Sequence, residues 1–172
     1  MAKIIVTESQ IRRLAEEIDK NDTIQKLLSA SPSNIDFEAE EILGGISKRH
    51  QMYQIYPIVD GKRIPTEFVS LLGEPIDIDG EQWYQLHIRV NEQLRRYGIA
   101  YKLYTSFIQQ GYPCCSLFVN RAGNFYKQQG AALSSDSAID NLWEKIKTTP
   151  GIETDDIVRD GKVVGIKAFK TN

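Results

Sequence analysis

The stretch RVNEQLRRYGIAYKLYTSF, residues 89–107, decides how this chain is read. A partly apolar run, Trp83 to Val90, ends in a polar turn, passes through Arg95-Arg96-Tyr97-Gly98, and becomes helical. Within residues 97–110, Ala100, Leu103, Tyr104, Phe107 and Ile108 recur at the spacing of one buried helix face, and Gly111 and Pro113 stop the pattern. CCSLFV (114–119) then reads as a buried strand. A strand, a helix and a second strand in this order predict a crossover with locally parallel pairing.

Upstream of that unit the period is that of strands. HQMYQIYPIV and RIPTEFVSLL flank Asp60-Gly61, and PIDI and EQWYQLHIRV flank Asp79-Gly80, each a hairpin signal. Pro57 and Pro65 imply edges or irregular pairing. Earlier still, residues 3–6 read as a short strand. Thr7-Glu8-Ser9-Gln10 is a capping box opening a helix with Ile11, Leu14, Ala15 and Ile18 on one face. Asp22 is read as the cap of a second, shorter helix carrying Ile24, Leu27 and Leu28, and residues 29–34 as a loop. The acidic run Asp36 to Glu41 has no clear period; it reads as a solvated stretch or as a lure for a cationic amine.

Downstream, helices are expected at about 122–129 and 136–147, the second aligning Ile139, Leu142, Trp143 and Ile146. A last hairpin, DDIV against KVVGIKAF, turns at Asp160-Gly161. No repeat or linker divides the chain, so one domain is expected over 1–172. It comprises N-terminal helices (1–30), a core (50–130), and an extra helix with a hairpin (131–172). The fold class is α/β (α+β), with a mixed, mainly antiparallel sheet flanked by helices.

Composition narrows function. The 172 residues are 41% hydrophobic and 26% charged, which suits a globular core, and the net charge of −2 provides no basic field for nucleic acid. Lys48-Arg49-His50 and Arg95-Arg96 are the notable basic clusters. Two histidines, His50 and His87, without cysteine or carboxylate spacing around them, form no metal-ligand pattern. Cys114 and Cys115 are adjacent and cannot close a structural loop, so they read as buried thiols in a reducing compartment. No apolar run reaches the roughly 20 residues that span a bilayer, and the start lacks a signal peptide's apolar region. A cytoplasmic location is expected.

The opening of helix 97–110 is the candidate site. Its first-turn N–H groups lack partners within the helix and carry the positive end of its dipole, which suits an anion. Gly98 and Ala100 keep the approach low, and Arg95 and Arg96 add charge. The competing reading is two solvated arginines before an ordinary helix.

Arg95-x-x-Gly98-x-Ala100 after a strand resembles the acyl-CoA pyrophosphate loop of the GNAT superfamily of N-acetyltransferases, whose pattern is Gln/Arg-x-x-Gly-x-Gly/Ala. A second block, VNRAGNFYKQQGA, resembles the family's next segment through Asn120, Ala122, Phe125, Tyr126 and Gly130. It departs from that pattern at Asn120, displaced by one residue, at Ala131, where the family has Phe, and in the helix at 136–147, which reads as an insertion. The resemblance implies a GNAT-like fold transferring an acetyl group from acetyl-CoA to an amine. Val90, Arg95, Arg96, Tyr97, Gly98, Ile99, Ala100 and Asn120 would bind the cofactor. Tyr126 would be the general acid, since a phenol of pKa about 10 can protonate a departing thiolate.

For the base there are two candidates. His87, with an ordinary pKa of about 6.5, shares a strand face with Trp83, Gln85 and Arg89, whereas Tyr84, Leu86, Ile88 and Val90 share the core face. Glu67 on the preceding strand is the other. A structural, hydrogen-bonded role is the rival for His87. The rival for the whole chain is a GNAT fold without chemistry, used as an interaction module. KIIVTESQIRRL (3–14) is similar to the start of small bacteriophage proteins, some of them virion components. A homo-oligomer or a larger assembly fits either reading.

Overall fold

The computed structural model describes residues 7–42, 51–117 and 137–171, the side chains of 137–139 excepted. Its elements are α1 (Glu8–Ser29), β1 (Asp36–Ile42), β2 (Met52–Val59), β3 (Lys62–Arg63), β4 (Val69–Ile78), β5 (Glu81–Val90), α2 (Ile99–Gln109), β6 (Cys114–Leu117), α3 (Ser137–Lys147), β7 (Ile152–Arg159) and β8 (Lys162–Lys170). Among the described residues, eight strands form one sheet in the order β1-β2-β4-β5-β6-β8-β7, with β3 beside β2. All pairings are antiparallel except β5 with β6. The protein is therefore a mixed α+β chain with a mostly antiparallel open sheet flanked by helices.

The expected hairpins form. Asp60, Asp79 and Asp160 each take positive φ (51°, 58° and 52°) ahead of a glycine that does the same, as the twist of a two-residue hairpin turn demands. Pro57 sits where pairing is irregular: β2 meets β4 over Tyr53 to Ile55 and β3 over Ile58 and Val59. Ile64 N–H closes that corner on the Pro57 carbonyl at 2.8 Å. The run expected as one strand from Arg63 to Leu72 is broken by a turn at 66–68, and PIDI belongs to the end of β4.

α1 is one continuous helix, not two. Nothing at Asn21-Asp22-Thr23 interrupts it: Thr23 Oγ1 donates to the Asp19 carbonyl one turn back at 2.8 Å, and Asp22 pairs with Lys26 at 3.0 Å rather than capping. The capping box at Thr7 and Gln10 is present as expected. At the other end, Lys102 of α2 donates to the carbonyls of Leu27 and Leu28 at 3.0 and 2.7 Å, placing a cation on the helix C-terminus.

The acidic run forms β1. Arg63 holds Glu38 and Glu40 (3.0 Å to the latter) while lying 4.4 Å from the Tyr56 ring, and Tyr56 donates to Glu40 at 3.1 Å. Those two carboxylates are compensated across the sheet rather than free to attract an amine.

One sheet face carries α2, α3 and the second half of α1. Leu71, Leu86, Tyr104, Phe107, Cys114, Trp143 and Ile146 form one cluster there, with Tyr104 edge-on to Trp143 at 5.6 Å. Leu27, Val69, Ile99 and Leu103 form a second. The opposite face holds Ile76, Ile78, Trp83, Cys115, Leu117 and Ile157. Trp83 and Gln85 are thus buried, not on a polar surface, because β5 is a central strand covered on both sides there.

Candidate functional site

β5 and β6 run parallel, so both end at the edge where α2 begins. Their register covers Tyr84↔Cys114 and Gln85↔Cys115 and stops, although β5 continues to Val90 and β6 to Leu117. The strands therefore part toward their carboxyl ends, the position where open sheets with parallel pairs receive ligands. Tyr84 N–H donates to Pro113 at 2.9 Å, so the backbone groups of Tyr84, Leu86, Ile88 and Val90 turn to the β6 side. The Leu86 carbonyl accepts from the Tyr104 hydroxyl at 2.7 Å, and the Val90 carbonyl accepts from Arg95 Nε at 3.3 Å. Ile88 lies between these two with its backbone N–H and C=O directed at the opening. Burial pushes the Tyr104 phenol far above its ordinary range, which leaves it a hydrogen-bond donor.

Behind the opening, Gly98 caps α2 in the left-handed conformation (φ 70°), with no side-chain cap on the first turn. A Cβ there would meet nothing within 4 Å: the glycine is required by its φ, and the space above it is open. Arg96 also has φ 76°, a conformation that costs a non-glycine residue on the order of 1 kcal/mol. Alternating left-handed residues turn successive N–H groups into a concave anion cradle. Ile99 is buried and offers only its backbone, whereas Arg95, Arg96 and Tyr97 are exposed. Arg95 folds back on Val90 and lies 3.6 Å from Glu92. A cleft of about 370 Å³, lined by Glu67, Arg89, Val90, Asn91, Gln93 and Arg95 among others, adjoins this loop.

The two base candidates are not brought together. Glu67 lies in the turn before β4, not on a strand, and its carboxylate accepts from Lys20 at 2.6 Å, a hydrogen bond that raises the lysine pKa. His87 pairs with Leu72, three residues further along β4 than Val69, or roughly 10 Å at 3.3 Å per residue. On the face opposite the helices, His87 Nε2 lies 3.5 Å from Oε2 of Glu74. Glu74 is buried, and together with desolvation it pushes the neighbouring Cys115 thiol up to about 12, burial being the larger cause.

Glu74 was absent from the sequence-based site; its only signal was a carboxylate at strand spacing from Ile76 and Ile78, on their apolar face, in LLGEPIDI. A carboxylate-backed imidazole can take a proton. Asn120 and Tyr126 lie outside the described residues, as do Lys48-Arg49-His50 and the helix expected at 122–129.

No family model, curated protein or solved structure matches the chain. Among the described residues, no helix is long and apolar enough to cross a membrane, and no cluster of three or more His, Cys, Asp or Glu is arranged to hold a metal ion.

Proposed function

We propose that the chain binds an acyl-CoA in the opening between β5 and β6 and transfers its acetyl group to an amine, as a protein with a GNAT-like fold. The observation that carries this reading is the parting of the two parallel strands after Gln85, directly in front of the uncapped start of α2. A pyrophosphate would take the first-turn N–H groups behind Gly98, with Arg96 beside it. An extended pantetheine, which carries amide groups of its own, would complete the backbone pairing at Ile88. That would place the thioester deeper along β5, toward Leu86. His87, backed by Glu74, would receive the amine's proton, and Tyr126 would protonate the thiolate.

Calorimetric titration with acetyl-CoA tests the reading. Micromolar binding that weakens at least roughly tenfold in Gly98→Trp, with the circular dichroism of the folded protein retained, is the expected result. Absence of heat with the folded wild type overturns it. The second reading, an interaction module without chemistry, is favoured by one observation: α1 projects from the sheet with apolar side chains in solvent.

A further inference from the structure

Alternation along β5 puts His87 and Arg89 on the sheet face opposite the helices, about 7 Å apart along the strand. Beside them on β4 stand Leu72 and Ser70, both half-buried, and His87 itself keeps 30% of its side chain exposed. At one end of this strip, Nε2 of His87 turns to Glu74, 3.5 Å away, which leaves Nδ1 as the nitrogen for a ligand. Glu74 is 5% exposed, and His87 is its one charged partner among the described residues. A buried carboxylate with a single long contact is under-satisfied, so an ammonium reaching it is stabilised.

At the other end, Arg89 lines the cleft beside the start of α2. The same cleft holds two carboxylates, but each has a cation of its own. Glu67 accepts from Lys20 at 2.6 Å, and Glu92 lies 3.6 Å from Arg95. Arg89 is exposed and has no acidic partner among the described residues, so its fork of N–H donors is open to an anion.

We propose that this strip receives a free amino acid, its carboxylate on Arg89 and its ammonium at His87 and Glu74. The inference rests on the acyl-transfer reading in one respect: it makes the acceptor of that reaction an amine that carries its own carboxylate. A single guanidinium between two engaged acids suits a carboxylate's one charge, whereas a phosphate dianion would meet Glu67 and Glu92 without a second open cation. A plain diamine or a lysine side chain would leave Arg89 unpaired.

Proton NMR of the histidine rings at fixed pH tests this without acetyl-CoA, and His50→Gln removes the signal of the chain's other histidine. A mixture of free amino acids should shift the His87 ring protons, whereas the matching amino-acid amides and phosphoethanolamine should not. For the amino acid that binds most tightly, Arg89→Gln should raise Kd roughly tenfold or more, and Arg89→Lys should recover part of the loss. The proposal is overturned if no amino acid at millimolar concentration shifts His87, with or without CoA present. It is equally overturned if amides act as well as acids, if phosphoethanolamine binds more tightly, or if Arg89→Gln binds like wild type. The two readings fail separately. Heat from acetyl-CoA in calorimetry without a response to amino acids removes this inference alone. Shifts from amino acids without heat from acetyl-CoA leave the amino-acid site standing and remove the acyl transfer.

Discussion

The first half of α1 and the whole of α2 show the same helical periodicity but opposite burial. In α2, Ile99, Leu103, Tyr104, Phe107 and Ile108 are buried between the sheet and its neighbouring helices. In α1, Ile11, Leu14 and Ile18 recur just as regularly and stand in solvent. Periodicity states which residues share a face; it does not state what covers that face. The difference arises from where each helix is tied. α2 is held between two strands of one crossover, while α1, among the described residues, buries apolar side chains only beyond Thr23 and is otherwise tied by the surface pairs of Asp19 with Lys62 and Lys20 with Glu67 and by Lys102 on its last carbonyls.

The largest effect expected from this contrast is Leu103→Ala. The side chain is fully buried between α1 and the sheet, and its removal leaves a cavity, so unfolding in urea should show a loss of about 3 kcal/mol. A loss under 1 kcal/mol would mean that α2 is no better packed than the free half of α1, and the contrast would collapse.

Lys102→Met should have an intermediate effect. It keeps the aliphatic stem but removes the donor to Leu27 and Leu28, and burial already lowers the lysine pKa. The expected cost is about 1–2 kcal/mol, with faster hydrogen exchange confined to the last turn of α1. Exchange that quickens equally throughout α2 would show that the lysine supports its own helix instead.

The same contrast marks what was legible in the sequence. Local chemistry was: the three Asp-Gly turns, the capping box at Thr7 and the strand–helix–strand unit around Gly98 rest on residues close together in the chain. Features settled by distant residues were not. β1 is acidic and has weak strand propensity; it is held by Arg63 and by its register with β2. The Asp22 cap signal yielded to a helix that nothing interrupts. Trp83 and Gln85 looked polar-facing because the alternation of β5 does not reveal a second covered face. In the site, Gly98 was readable as a loop glycine, but the parting of β5 from β6 and the contact of Glu74 with His87 depend on register between strands.

The smallest effect expected is the sharpest test of the exposed half of α1. Leu14→Ala removes an apolar side chain that is 54% exposed in the single chain, and alanine is the better helix former by a few tenths of a kcal/mol. Little buried area is lost, and the propensity change partly offsets it. Urea unfolding of the variant should therefore agree with wild type within about 0.5 kcal/mol. A loss above 1 kcal/mol would mean that Leu14 packs against its own chain, and the stripe would belong to the core after all.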